Sequence, residues 1–102
     1  MKNKSNKLAK LERSRTSIIT NDLSHCFVCG MRKQHLHEIF YGKNRLNSIK
    51  HGMVIPICFN CHTRIHNDID MDLYYKKLFQ KEYEKTHTRD EFISIFYRNY
   101  LD

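Results

Sequence analysis

The chain is short of several things that would define other kinds of protein. Of its 102 residues only three are glycine and one is proline, acids number 11 against 18 lysines and arginines, and 40% of residues are hydrophobic. No internal repeat and no low-complexity linker interrupts it, which leaves one small domain with a modest core. A structural metal would help such a chain hold a fold. No run is apolar enough to cross a membrane, and the lysine-rich start lacks the hydrophobic region of a signal peptide. The expected setting is therefore a reducing cytoplasm, where four cysteines in two CxxC pairs point to metal rather than to disulfides. The shortage of acids leaves a formal charge of +7 and a pI near 9.4, which favours a polyanionic partner, nucleic acid first.

What is present is concentrated in CFNCHTRIH, Cys58 to His66. Cys58 and Cys61 have the spacing of a zinc knuckle. His62 and His66 are four apart, so on a helix they share one face and can grip one ion. Cys61 and His62 are neighbours, which a helix points in different directions, so the two pairs serve different metals. Upstream, HCFVCG supplies Cys26 and Cys29, and the two CxxC pairs together make a four-thiolate shell. Gly30 can take the left-handed conformation that turns backbone amides towards a metal-bound thiolate. The gap from Cys29 to Cys58 exceeds the about 15–20 residues of a simple zinc ribbon, so something is inserted between the knuckles.

In chain order, residues 1–16 carry Lys2, Lys4, Lys7, Lys10, Arg13 and Arg15 against Glu12 alone. They read either as a basic arm lying along phosphates or as a solvated terminus, with Leu8 and Leu11 allowing part of it to be helical. Ser17 to Thr20 is a short β-branched run that predicts a strand. In the insertion, QHLHEIFYG and MVIPI read as strands, KNRLNSIKHG as an irregular loop, and Pro56 marks an edge or strand end. On the first strand His35 and His37 point one way, Leu36 and Glu38 the other. The core, residues 17–68, thus reads strand, loop, strand, helix. Residues 69–102 read as a helical pair. Met71, Tyr75, Leu78, Phe79 and Tyr83 recur at helical spacing over 69–86, with Asp70 as cap. Thr88-Arg89-Asp90-Glu91 is a capping box opening a second helix whose apolar stripe is Phe92, Ile95, Phe96 and Tyr100. Those aromatics predict hydrophobic core rather than a base-stacking surface.

The order CxxC, histidine-bearing strand, CxxCHxxxH resembles the HNH nucleases of the ββα-metal fold. Within them it resembles short proteins encoded by phages and prophages of Gram-positive bacteria, on HLHEIFYGKNR, GMVIPIC, the CxxCH pair and TRDEFISIFYRNYL, over residues 17–102. The resemblance implies an α+β fold: a small zinc-stabilised, treble-clef-like ββα-metal core with two C-terminal helices. It implies a structural zinc on Cys26, Cys29, Cys58 and Cys61, and a second divalent ion, Mg²⁺, Mn²⁺, Ni²⁺ or Zn²⁺, on His37, His62 and His66. It places Glu38 where the family has a histidine general base, with His35, on the face of His37, in reserve. The family's middle asparagine is displaced, and Asn44 or Asn47 stands in for it.

Phosphodiester hydrolysis needs an activated water, a Lewis acid on the phosphate and help for the leaving oxygen. Three imidazoles on one ion leave positions open for phosphate and water, and a neighbouring base takes the proton. Lys43, Asn44, Arg45, Lys50 and Arg64 are the candidate DNA contacts. CFNCH is also a haem c attachment motif, but that needs export and leaves Cys26 and Cys29 unexplained. HTRIH has the histidine spacing of zinc proteases, with Thr63 where their glutamate must be. The expectation is a metal-dependent DNA endonuclease or nickase acting on double-stranded or branched DNA in recombination or DNA processing, in the cytoplasm of a bacterial host. The rival is a weak or non-catalytic zinc module that binds DNA or a regulatory protein. Monomer and homodimer are both open.

Overall fold

A computed structural model describes residues 6–101. Lys2 and Lys4 of the basic arm lie outside that span. The described residues form a small α+β fold of one two-stranded sheet and five α-helices: α1 (Asn6–Arg13), β1 (His35–Glu38), α2 (Arg45–Lys50), β2 (Val54–Ile57), α3 (Phe59–Asn67), α4 (Ile69–Tyr83) and α5 (Arg89–Phe96). Among the described residues no helix is long and apolar enough to cross a membrane.

β1 and β2 are antiparallel, pairing His35 with Ile57, Leu36 with Pro56, His37 with Ile55 and Glu38 with Val54. β2 is VIPI, buried along its whole length. Pro56 lacks a donor, and its carbonyl instead accepts from the amide of Phe27 at 2.8 Å, which ties the first cysteine pair to the outer edge of the sheet. Helix α3 starts directly after β2, with Cys58 as its N-cap residue.

The core lies where β2 meets the helices. Phe79 of α4 and Phe92 and Phe96 of α5 are fully buried, each burial stabilising the fold by about 1.5–3 kcal/mol. Phe40, just past β1, places its ring 4.5 Å from Phe96 and 5.3 Å from Tyr100. Gln80 is wholly buried in α4 and fully partnered: it donates to Glu84 and Asn99 and accepts from the amide of Tyr100. That set of bonds holds the C-terminal tail against α4.

Four local expectations are corrected. Ser17 to Thr20 is not a strand. Ser17 Oγ accepts from the amides of Ile19 and Thr20 and turns the chain, and only Ile18 reaches out, donating to the Gly52 carbonyl at 2.9 Å. Gly52 has φ +71°, and a Cβ there would meet Ile18 at 2.9 Å, so the close approach needs a glycine. The stretch between the strands is not an irregular loop but a 3₁₀ turn, Gly42–Asn44, running into α2. Ser48 of α2 clamps the end of β1 by donating to the Phe40 carbonyl at 2.7 Å and accepting from its amide at 3.0 Å. Asp68, not Asp70, caps α4, accepting from the amides of Asp70 and Met71, and the helix ends at Tyr83 rather than running to 86. Tyr100 lies beyond α5, which closes at Tyr97 in the left-handed conformation with φ 66°. The capping box at Thr88 and Glu91 is present as read.

Two candidate metal centres

The thiol cluster is built from two turns that present backbone amides to sulfur. In the first, the Asp22 side chain accepts from Ser24 and contacts His25, and these bonds, those from Ser24 foremost, hold its carboxyl at about 2. Past the cysteines, Gly30 at φ +83° donates to the Cys26 carbonyl, and His25 pairs with Arg32 to close the turn. In the second turn Cys58 Sγ accepts from the amide of Cys61 at 3.4 Å. The four Sγ atoms lie within 4.8 Å of one another, and Cys29 and Cys58 are 3.6 Å apart sulfur to sulfur. Four sulfurs at about 2.3 Å from one zinc would be about 3.8 Å apart. All four cysteines are free, so the cluster holds no disulfide.

The thiols respond unequally to this crowding. Burial works to raise Cys26, but amides of Cys58, Cys29 and Val28 outweigh it and bring the thiol down to about 7. Burial, and then the sulfurs of Cys58, Cys29 and Cys26, push Cys61 up to about 12. Neighbouring sulfurs thus resist ionising together, and a divalent cation at their centre removes that conflict. The cluster can hold zinc.

The histidine cluster joins β1 to α3. His62 and His66 are one turn apart on α3, with their Nε2 atoms 3.1 Å from each other. His37 comes in from β1, its ring centroid 5.3 Å from that of His62 and 5.2 Å from that of His66. The three residues each offer a ring nitrogen, all within 4.8 Å of one another. His37 is buried, and its Nε2 has no hydrogen-bond partner. Such an atom costs about 1–3 kcal/mol unless something completes it. Burial, then His62 and His66, then Lys76, push the His37 imidazole down to about 3, so it is neutral at physiological pH. His62 is lowered too, first by burial and then by His66 and His35, with Glu38 opposing. Neutral imidazoles are the ligand form.

The remaining candidates divide. His35 is exposed, and its ring lies 4.7 Å from that of His62, beside the cluster. Glu38 is engaged in a charge network: Arg15 donates to it at 2.7 Å and Arg45 at 3.3 Å, while Arg45 also pairs with the buried Glu12. Asn44 and Asn47 donate to the carbonyls of Phe96 and Ile95, both at 3.1 Å, pinning the end of α5 to α2. Arg45 and Asn44 are therefore tied up in the fold, while Lys43, Lys50 and Arg64 are exposed. Arg15, part of the basic N-terminal stretch, faces Glu38 rather than open solvent.

Two site neighbours escape sequence reading. Tyr41 is 43% exposed and sets its ring 5.4 Å from that of His66 and 6.0 Å from that of His37. Lys76 of α4 holds its ammonium 4.6 Å from the Tyr41 ring centre while donating to Asp72 at 2.8 Å. Its only signal in the sequence is an acid one helical turn earlier. No protein-family model, no curated protein and no solved structure matches the chain.

Proposed function

We propose that the chain is a metal-dependent DNA endonuclease or nickase of the HNH, ββα-metal kind, in which the thiol cluster carries a structural zinc and the histidine cluster a working divalent ion. The observation that carries this reading is the buried, unpartnered Nε2 of His37 set against two imidazoles of α3. Three imidazole nitrogens from protein, with His66 at the surface, are the donor set of a site that keeps positions open for substrate. A divalent ion held by these histidines would supply a Lewis acid for the phosphate and would acidify water.

The chain's own groups do the rest. His37, His62 and His66 fix the ion's place at the junction of strand and helix. His35, beside His62 and open to solvent, takes the proton from the attacking water. That role falls to His35 rather than Glu38, because the Glu38 carboxylate is engaged by two arginines while His35 stands open to solvent. Lys43, Lys50 and Arg64 are the exposed cations that meet phosphates.

The test is plasmid cleavage by zinc-loaded protein across Mg²⁺, Mn²⁺ and Ni²⁺. Nicked or linear product is expected with at least one ion, and His62→Ala should abolish it. A second reading is favoured by the pairing of Glu38 at the family's base position: a non-catalytic zinc module that binds DNA or a regulatory protein. No product with any of the three ions, and no second ion bound per zinc, would decide for that reading.

A further inference from the structure

One exposed aromatic next to the histidine cluster has no packing role. Phe59, the first residue of α3, is 59% exposed, yet it is held in place: its amide donates to Gln34 Oε1 at 2.6 Å, and its ring lies 6.2 Å from that of His35. His35 in turn lies 4.7 Å from His62, so Phe59 is two ring steps from the proposed ion. On the opposite flank Tyr41 stands against His66 and His37 with the Lys76 ammonium over its ring. The cluster therefore sits in a row of rings that is exposed at both ends.

Phe59 also lines a groove of about 440 Å³ with Met31, Arg32, Gln34, Asn60 and Cys58. Arg32 is shared with an adjoining hollow lined by Ser24, His25 and Lys33. An apolar ring, two side-chain amides and an arginine in one groove, with Lys33 in the hollow beside it, match an unpaired nucleotide: a flat base to stack, edges to hydrogen-bond and a phosphate to neutralise. A duplex keeps its base faces covered and offers Phe59 nothing to stack on. The net charge of +7 suits a nucleic-acid strand over an average protein surface.

We infer that the groove at Phe59 binds an unpaired base of a single-stranded DNA segment whose phosphates run past Arg32 and Lys33 to the histidine cluster. This rests on the nuclease reading and narrows its substrate to single-stranded or locally unpaired DNA. Tyr41, backed by Lys76, receives a base on the far side of the cleaved phosphate.

The test is fluorescence anisotropy of zinc-loaded protein, with no other divalent ion added, against a labelled mixed-sequence single strand and the same strand annealed to its complement. The single strand should bind at least about 10-fold tighter than the duplex. Phe59→Ala should weaken single-strand binding by about 5- to 150-fold, the range for losing one stacked base, and Phe59→Tyr should restore it. Arg32→Ala should reduce the slope of log affinity against log salt by about 0.7, the value for one phosphate contact on a single strand. Zinc content measured on each variant checks that Cys58, next in sequence, still holds its ion. Equal or tighter duplex binding, no binding to either DNA, or a Phe59→Ala variant that is zinc-loaded and binds as well as the parent overturns the inference. The two proposals fail separately: single-strand binding without cleavage removes the nuclease and leaves the groove, whereas cleavage without a single-strand preference removes the groove and leaves the nuclease.

Discussion

The thiol and histidine clusters share helix α3, yet they differ in nearly every physical respect. The thiol cluster has four protein donors, three of them buried, and backbone amides bonded to its sulfurs. It is closed: a tetrahedral ion there has no position left for a substrate. The histidine cluster has three donors graded from buried His37 through half-buried His62 to exposed His66, with exposed His35 and Tyr41 on its flanks. It is open on the side where His66 meets solvent. The sulfur side also anchors structure, since Phe27, within the first cysteine turn, is bonded to β2, and Cys58 starts α3. On the nitrogen side, the side chains of His62 and His66 meet the rings of His35, His37 and Tyr41. Donor number and exposure, more than donor type, separate the closed cluster from the open one.

The largest effect that can test this contrast is on the sulfur side. Cys58→Ser removes a zinc ligand and alters the cap of α3 together, and structural zinc is worth about 10–16 kcal/mol in apparent folding free energy. Circular dichroism should show an unfolded chain and metal analysis a loss of zinc; a folded, zinc-loaded variant would end the four-thiolate assignment. On the nitrogen side, His66→Ala should keep zinc and fold. Its affinity for Mn²⁺ or Ni²⁺, by calorimetry, should drop by more than the about 10- to 100-fold that follows loss of an outer-shell partner. If it unfolds as Cys58→Ser does, the two centres are not different in kind.

Glu38→Gln sharpens the contrast between structural and chemical carboxylates. It should lower stability by about 1–3 kcal/mol in urea unfolding, through its bonds to Arg15 and Arg45, and change cleavage only a few-fold. A fall of about 10²–10⁴ in rate would return the role of base to Glu38, whereas His35→Ala is expected to give that fall. The smallest effect lies far from both centres. Thr88→Ala breaks the capping box of α5 and should cost about 1 kcal/mol, with both ions bound as before.

Much of this was legible because the relevant interactions are local in sequence. The two CxxC turns, the four-residue spacing of His62 and His66, the alternation of β1 and the Thr88 capping box are each contained in one short stretch. Where reading failed, the deciding partner was distant. The six residues of α2 are too few to show a period, and the helix is held by Ser48 on Phe40 and by Asn44 and Asn47 on the end of α5. Ser17 to Thr20 has strand-forming residues, but its own serine turns it aside, and Ile18 bonds to Gly52 rather than to a strand.

The sequence by itself determined which atoms can bind metal and that sulfur and nitrogen form separate sets, because ligand chemistry and helical or strand periodicity are properties of a few consecutive residues. Only the tertiary structure decided that Glu38 pairs with Arg15 and Arg45, that Tyr41 and Lys76 stand beside the histidines, and that Phe59 is left uncovered in a groove with Arg32. Those outcomes depend on which side chains from remote segments arrive at the same place, and burial and charge pairing choose among them after the local elements have formed.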